Sequence, residues 1–389
     1  MPDATQSGTK SGPLAGFRII EMAGIGPVPL AGLILSEMGA RILRIERLSK
    51  ARPFLSLPPE FDLDRHGRAI VSLDLKRPEA IGLVLRLIGN ADGLIEGFRP
   101  GVMERLGLGP DQALARNPGL VYGRMTGFGQ DGPLASRAGH DLTYLALSGV
   151  LHAIGPKGGK PVPPLNLIAD YGGGTMFLIA GMLAALLERG RSGKGQVVDA
   201  AMIDGASMLA APFFGFMAAG IWQDRRGSNL LDSGAPFYDT YETADAKHVA
   251  VACLEPHFFA EFARLLPLDE RYSKRQFDQS LWPEMRNAIS ARIATQSRDH
   301  WADLFAQTDA CVAPVLSLGE APAHPHNLAR GTHVTTEGAL TRPRPAPRYS
   351  RTPSSVSAPA GDDMEDALAA FGIDRAETER LASLGVLGR

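Results

Sequence analysis

Residues 17–23 (FRIIEMA) form an apolar, strand-like run, followed by a Gly/Pro turn, a helical pattern over 29–38 and a second strand-like run over 41–46, RILRIE. Two strands with a helix between them read as a βαβ unit, because parallel strands need a crossover that a short turn cannot supply. The rhythm continues through a strand candidate at 69–73, a helical stretch over 78–88, and short strand candidates at 93–96 and 121–124 on either side of another helical segment. The expectation is a Rossmann-like α/β domain around a parallel sheet. The turn after the first strand contains Gly24 and Gly26. It lacks the third glycine of a dinucleotide fingerprint and puts prolines where the helix should open, so neither a nicotinamide nor a flavin is expected.

Further along, Asp170 and three glycines open an apolar helix expected to run to Arg189, with Gly190 and Gly193 to end it and a strand at 196–199 to follow. After a second apolar helical region ending near Trp222, residues 228–236 read as a linker and 237–241 with 248–253 as a hairpin. Helices over 257–266, 282–295 and 298–306 and a strand at 310–316 complete a smaller α+β domain. A chain of 389 residues exceeds the usual reach of one core. The linker marks the start of the smaller domain, expected over 226–325 after a first part over 1–225, and residues 326–389 read as a return segment. Within the return, the Pro-, Arg- and Ser-rich stretch 338–361 has the composition of an extended, weakly structured path.

With 44% hydrophobic and 21% charged residues and a net charge of −2, the chain has a soluble profile and no global field to draw nucleic acid. An anionic ligand must therefore meet local basic residues. Cys253 and Cys311 fit no zinc or redox spacing and read as free thiols. His152, His257, His324 and His326 have no ligand partners at metal-binding spacing, so no metal is expected. The polar start, 1–15, lacks the pattern of a secretory signal. Apolar stretches near 176–187 and 208–221 are too short or too interrupted to span a bilayer, so the expected setting is the cytoplasm, without a membrane.

Three residues stand in surroundings that suit chemistry. His140 lies in RAGHD before a helix, where a surface or capping histidine is the plain alternative. Asp170 suits a helix N-cap, yet Gly172, Gly173 and Gly174 behind it cost backbone entropy, a cost that makes sense where a ligand approaches the main chain or an enolate oxygen takes its donors. Glu255, in LEPH after an apolar strand, also suits a helix's first turn.

The segments GHD at 139–141, PPLNLIADYGGG at 163–174 and VACLEP at 251–256 resemble the bacterial α-methylacyl-CoA racemases of the family III CoA-transferase (CaiB-BaiF) superfamily. IEGFRPG at 95–101, ERLGLG at 104–109, RMTGFGQ at 124–130 and GKGQVVDAAM at 193–202 extend the resemblance from about Gly12 to about Ser355. It implies racemisation of 2-methylacyl-CoA thioesters without a cofactor, coenzyme A being part of the substrate. His140 with Glu255 would form one acid/base unit and Asp170 the other, on opposite faces of the α-carbon. Arg47 and Arg105 would bind the CoA phosphates, and Glu96 and Asn166 would support the catalytic groups. The resemblance further implies a large Rossmann-like α/β domain built from both chain ends, 1–225 completed by 326–389, around the small domain, and a homodimer interlocked like links of a chain. Residues 48–74 depart from the pattern, which puts the adenine contacts in doubt. Two rivals stay open: a CoA-transferase with Asp170 as nucleophile, and a CoA-ester-binding subunit without turnover. A transferase needs neither His140 nor Glu255, and this chain lacks the glycine run that formyl-CoA transferases often carry before Phe237.

Overall fold

A computed structural model describes residues 11–48, 57–336, 340–361 and 364–388. Part of the divergent 48–74 segment and of the N-terminal tail therefore lies outside the described residues. The chain divides into two compact units, one of residues 1–148, 165–209 and 331–389, the other of 149–164 and 210–330.

The first unit holds a six-stranded parallel sheet: β1 (Arg18–Met22), β2 (Arg41–Arg47), β3 (Arg68–Leu73), β4 (Gly93–Glu96), β5 (Val121–Thr126) and β6 (Val197–Ala201), in the order β3-β2-β1-β4-β5-β6. This is the doubly wound order, and its direction reverses between β1 and β4. Ile19, Ile20, Ile42, Leu43, Leu94, Ile95 and Val121 are buried, as strands covered on both faces require. The helix Pro27–Glu37 begins two residues earlier than the sequence suggests. Pro27 occupies its first position, where a missing N–H costs nothing, so the prolines after Gly26 open this helix rather than prevent it.

Asp170 was expected to cap a helix and instead lies inside one. A π-helical turn, Leu167–Thr175, leads into the α-helix Met176–Ser192, making one helical run of 26 residues. The run is long and apolar enough to cross a membrane, unlike the shorter stretch read from the sequence. It packs instead on the sheet: the Met182 side chain fills the space beside Gly93 and Gly123 that a Cβ would occupy. Gly193, in the left-handed conformation, ends it.

The return segment is more structured than its composition suggests. It forms the antiparallel hairpin of β10 (His333–Thr335) and β11 (Thr341–Pro343). Arg342, 4% exposed, reaches the buried Glu37 at 2.6 Å, and the same carboxylate oxygen accepts the Ser357 N–H and hydroxyl. The Gly67 N–H then donates to the Ala358 carbonyl at the β3 edge, and Leu368, Phe371, Leu381 and Val386 enter the core against Leu73, Leu83 and Leu87. A buried ion pair and a share of the core fix the path despite its prolines.

The second unit contains β7 (Tyr238–Glu242), β8 (His248–Ala252) and β9 (Val312–Pro314) as an antiparallel sheet with helices over a core of Phe237, Phe259, Phe262, Trp282 and Trp301. It starts at Ala210, earlier than the linker at 228–236 suggests, and includes residues 149–164. Arg226 ties that segment in through the carbonyls of His152 and Gly159.

Candidate active site

Loops leaving the carboxyl ends of β1, β4 and β5 surround a cavity of about 510 Å³ in the first unit. Its wall includes Gly26, Arg99, Phe128, Arg137, His140, Tyr144, Asn166 and Asp170. The position is dictated by topology: where strand order reverses, neighbouring loops turn to opposite faces of the sheet and leave a crevice.

Asp170 is half-buried beside Gly26, where an added Cβ would come within 3.4 Å of its Oδ2. The Asn166 amide donates to Oδ2 at 3.2 Å. Burial lifts the carboxyl above the ordinary aspartate range; the Asn166 hydrogen bond opposes this, the Asp141 charge adds to it, and His140 opposes it. The lift is what a carboxyl needs in order to store a proton. His140 is exposed at the start of the helix Asp141–Leu147, and its backbone N–H donates to Thr143 Oγ1 at 3.0 Å. His140 also lines the cavity.

Tyr144 packs edge-on to Phe128, centroids 4.9 Å apart, over Gly127 and Gly139, where any side chain would collide with its ring. Burial first, then the charge of Asp170, pushes its hydroxyl up, against the pull of Arg99. Neither Arg99 nor Arg137 has an ion-pair partner among the described residues, so both leave positive charge at the cavity. The sequence reading missed both, although Arg99 lies within the quoted IEGFRPG segment and follows a strand's carboxyl end.

Glu96, wholly buried at the end of β4, accepts from Arg124 Nε at 3.0 Å and from the Phe98 N–H at 2.7 Å. It shapes the loop that presents Arg99 while staying out of the cavity. Arg47 and Arg105 are exposed, at the end of β2 and in the helix Val102–Arg105, and neither lines the cavity. Gly172, Gly173 and Gly174 are not among the residues that line the cavity. A Cβ on Gly173 would lie 2.5 Å from the Ala206 nitrogen and one on Gly174 2.9 Å from the Met202 side chain, so protein fills that space. Gly172 faces Leu209 in the same way. Glu255 belongs to the second unit, as the exposed N-cap residue of the helix Pro256–Leu265, with no capping bond from its side chain. His140, Asp170 and Asn166 are therefore brought together, and Glu255 stands on a separate unit.

An imidazole and a carboxyl next to two guanidinium groups without ion-pair partners among the described residues, at the switch point of a doubly wound sheet, make a cleft suited to anionic small molecules in an α/β fold. Residues 14–363 match CoA-transferase family III, and the chain belongs to that family. It is 42% identical over 375 residues to the α-methylacyl-CoA racemase of Mus musculus, covering 95% of this chain and 96% of that one. The corresponding figures for the α-methylacyl-CoA racemase of Homo sapiens are 40% over 376 residues, covering 95% and 96%. The crystal structure of Rv3272 from M. tuberculosis superposes with a TM-score of 0.76 at 27% identity, covering 92% of this chain and 99% of that chain.

Proposed function

We propose that the protein racemises 2-methylacyl-CoA thioesters. The observation that carries this reading is the pairing of His140 and Asp170 in one cavity, with Asp170 lifted by burial so that it can hold a proton. One group takes the α-proton while its electron pair moves into the thioester carbonyl as an enolate, and the other delivers a proton to the opposite face. The roles reverse for the other enantiomer. The thioester itself acidifies the α-carbon, so the step needs no cofactor. Arg99 and Arg137 supply charge for the CoA phosphates, and Arg47 and Arg105 at the same edge of the sheet extend it.

Glu255 enters this reading through a homodimer, in which Glu255 of the partner subunit stands behind His140. An unusual helix supports association. Ala211–Ala218 has no buried residue, and Phe214, Met217 and the nearby Ile221 are 58%, 41% and 70% exposed, an apolar surface that calls for cover.

The test is deuterium incorporation from heavy water at the α-position of a single enantiomer, followed together with optical rotation. Exchange with loss of rotation is expected, lowered about 10²- to 10⁴-fold by His140→Ala or Asp170→Ala. CoA transfer to an added carboxylate that depends on Asp170 alone would make the protein a transferase. Tight binding with neither reaction would make it a binding subunit.

A further inference from the structure

We infer that Asp141 is a positioning residue that sets the spacing of the two acid/base groups, gripping the turn that carries Asp170 from the helix that follows His140. The inference rests on the racemase reading and adds to it a residue that need not touch substrate.

The argument starts from the first turn of the helical run at Leu167. A helix leaves its first N–H groups without internal partners, and the residue before it usually supplies an acceptor. Here that residue is Asn166, whose side chain makes no cap bond and whose Nδ2 donates to the Asp170 carboxylate. The donors are satisfied from elsewhere: Asp141 Oδ2 accepts the Ala169 N–H at 2.9 Å and the Asp170 N–H at 2.8 Å. An acid at the first position of a helix commonly faces water and serves its own dipole. Asp141 is instead 6% exposed, and its Oδ1 is buried with no hydrogen-bond partner in the structure. Keeping a carboxylate in such a place is costly, and the two backbone donors that offset the cost belong to the turn of Asp170 itself. Asp141 is covalently next to His140 and hydrogen-bonded to the main chain of Asp170, so it joins the two elements whose side chains must flank one carbon. The same grip frees Asn166 to orient Asp170.

Asp141→Ala removes the grip, whereas Asp141→Asn keeps an oxygen that can accept both N–H groups and removes the charge. With Asp141→Ala, kcat for racemisation is expected to fall about 100-fold while KM stays within about threefold, the signature of misplaced reacting groups. Washout of label with retention should rise relative to inversion, because one-sided exchange needs only one well-placed group. Asp141→Asn should recover to within about tenfold of wild type. Its acid limb should move to lower pH in the direction that uses Asp170 as base. Asp170 is held up by burial and then, among its neighbours Asp141, His140 and Tyr144, by the Asp141 charge, so removing that charge lets the carboxyl ionise earlier. An unchanged ratio of retention to inversion in Asp141→Ala, or an Asp141→Asn profile that superposes on wild type, would overturn the inference. A wild type that exchanges no label overturns the racemase reading instead, so the two failures are distinct.

Discussion

Partial burial lifts the Asp170 carboxyl above the ordinary aspartate range, the direction that the proposed proton carrier needs. The sign of the effect on stability follows. A carboxyl raised by folding contributes stability that is present below its unfolded pKa, about 4, and lost as pH rises through the higher folded value. Asp170→Asn removes that loss. The variant should melt roughly 1–4 °C above wild type at pH 7, and the gap should close at or below about pH 4, measured by thermal unfolding at both values. A variant less stable at both would show that the carboxylate is held by contacts the neutral amide cannot make. At this scale the sequence was informative where a residue stands in a recognisable segment, as His140 and Asp170 do. Asp141 was adjacent to His140 and still silent, because its partners, Ala169 and Asp170, lie far along the chain and come close only through tertiary packing.

Among elements, the π-helical turn Leu167–Thr175 was the least legible. Sequence patterns speak of helix or strand, whereas this π-helical turn packs closely on the helix Met202–Leu209. There a Cβ on Gly205 would lie 1.9 Å from the Gly173 carbonyl oxygen. Gly173, one of the glycines that hinted at a ligand, marks the closeness of two backbones. Gly205→Ala should therefore cost about 1–3 kcal/mol, read from the urea midpoint, and should lower α-proton exchange as the turn shifts under Asp170. Loss of stability with full exchange would separate that contact from the site. The sheet strands were legible for the opposite reason: β1, β2 and β5 are buried on both faces and are rich in Ile, Leu, Val and Met, with Glu21, Arg44 and Arg124 as buried charges among them.

On the scale of the whole molecule, the sequence reading put 149–164 and 210–225 in the large domain, whereas both segments belong to the second unit, because no composition shift marks those crossings. The proposed dimer makes a sharp prediction. His140→Ala and Glu255→Ala subunits, each near background alone, should regain about half of wild-type racemisation when co-expressed as mixed dimers, since one of the two sites is then intact. No recovery, or an active monomer, would show that Glu255 does not act across the dimer. The return of the C-terminal segment to the β3 edge also bears on how the protein is made. Gly67 waits for Ala358, and Leu73 waits for Leu387, while the whole second unit is synthesised in between. At ribosomal speeds of about 5–20 residues per second, that leaves a half-built sheet with a bare outer strand for roughly 15–60 seconds. During that interval the nascent chain is a natural client for a chaperone, and slow translation through the second unit should raise its loss to aggregation.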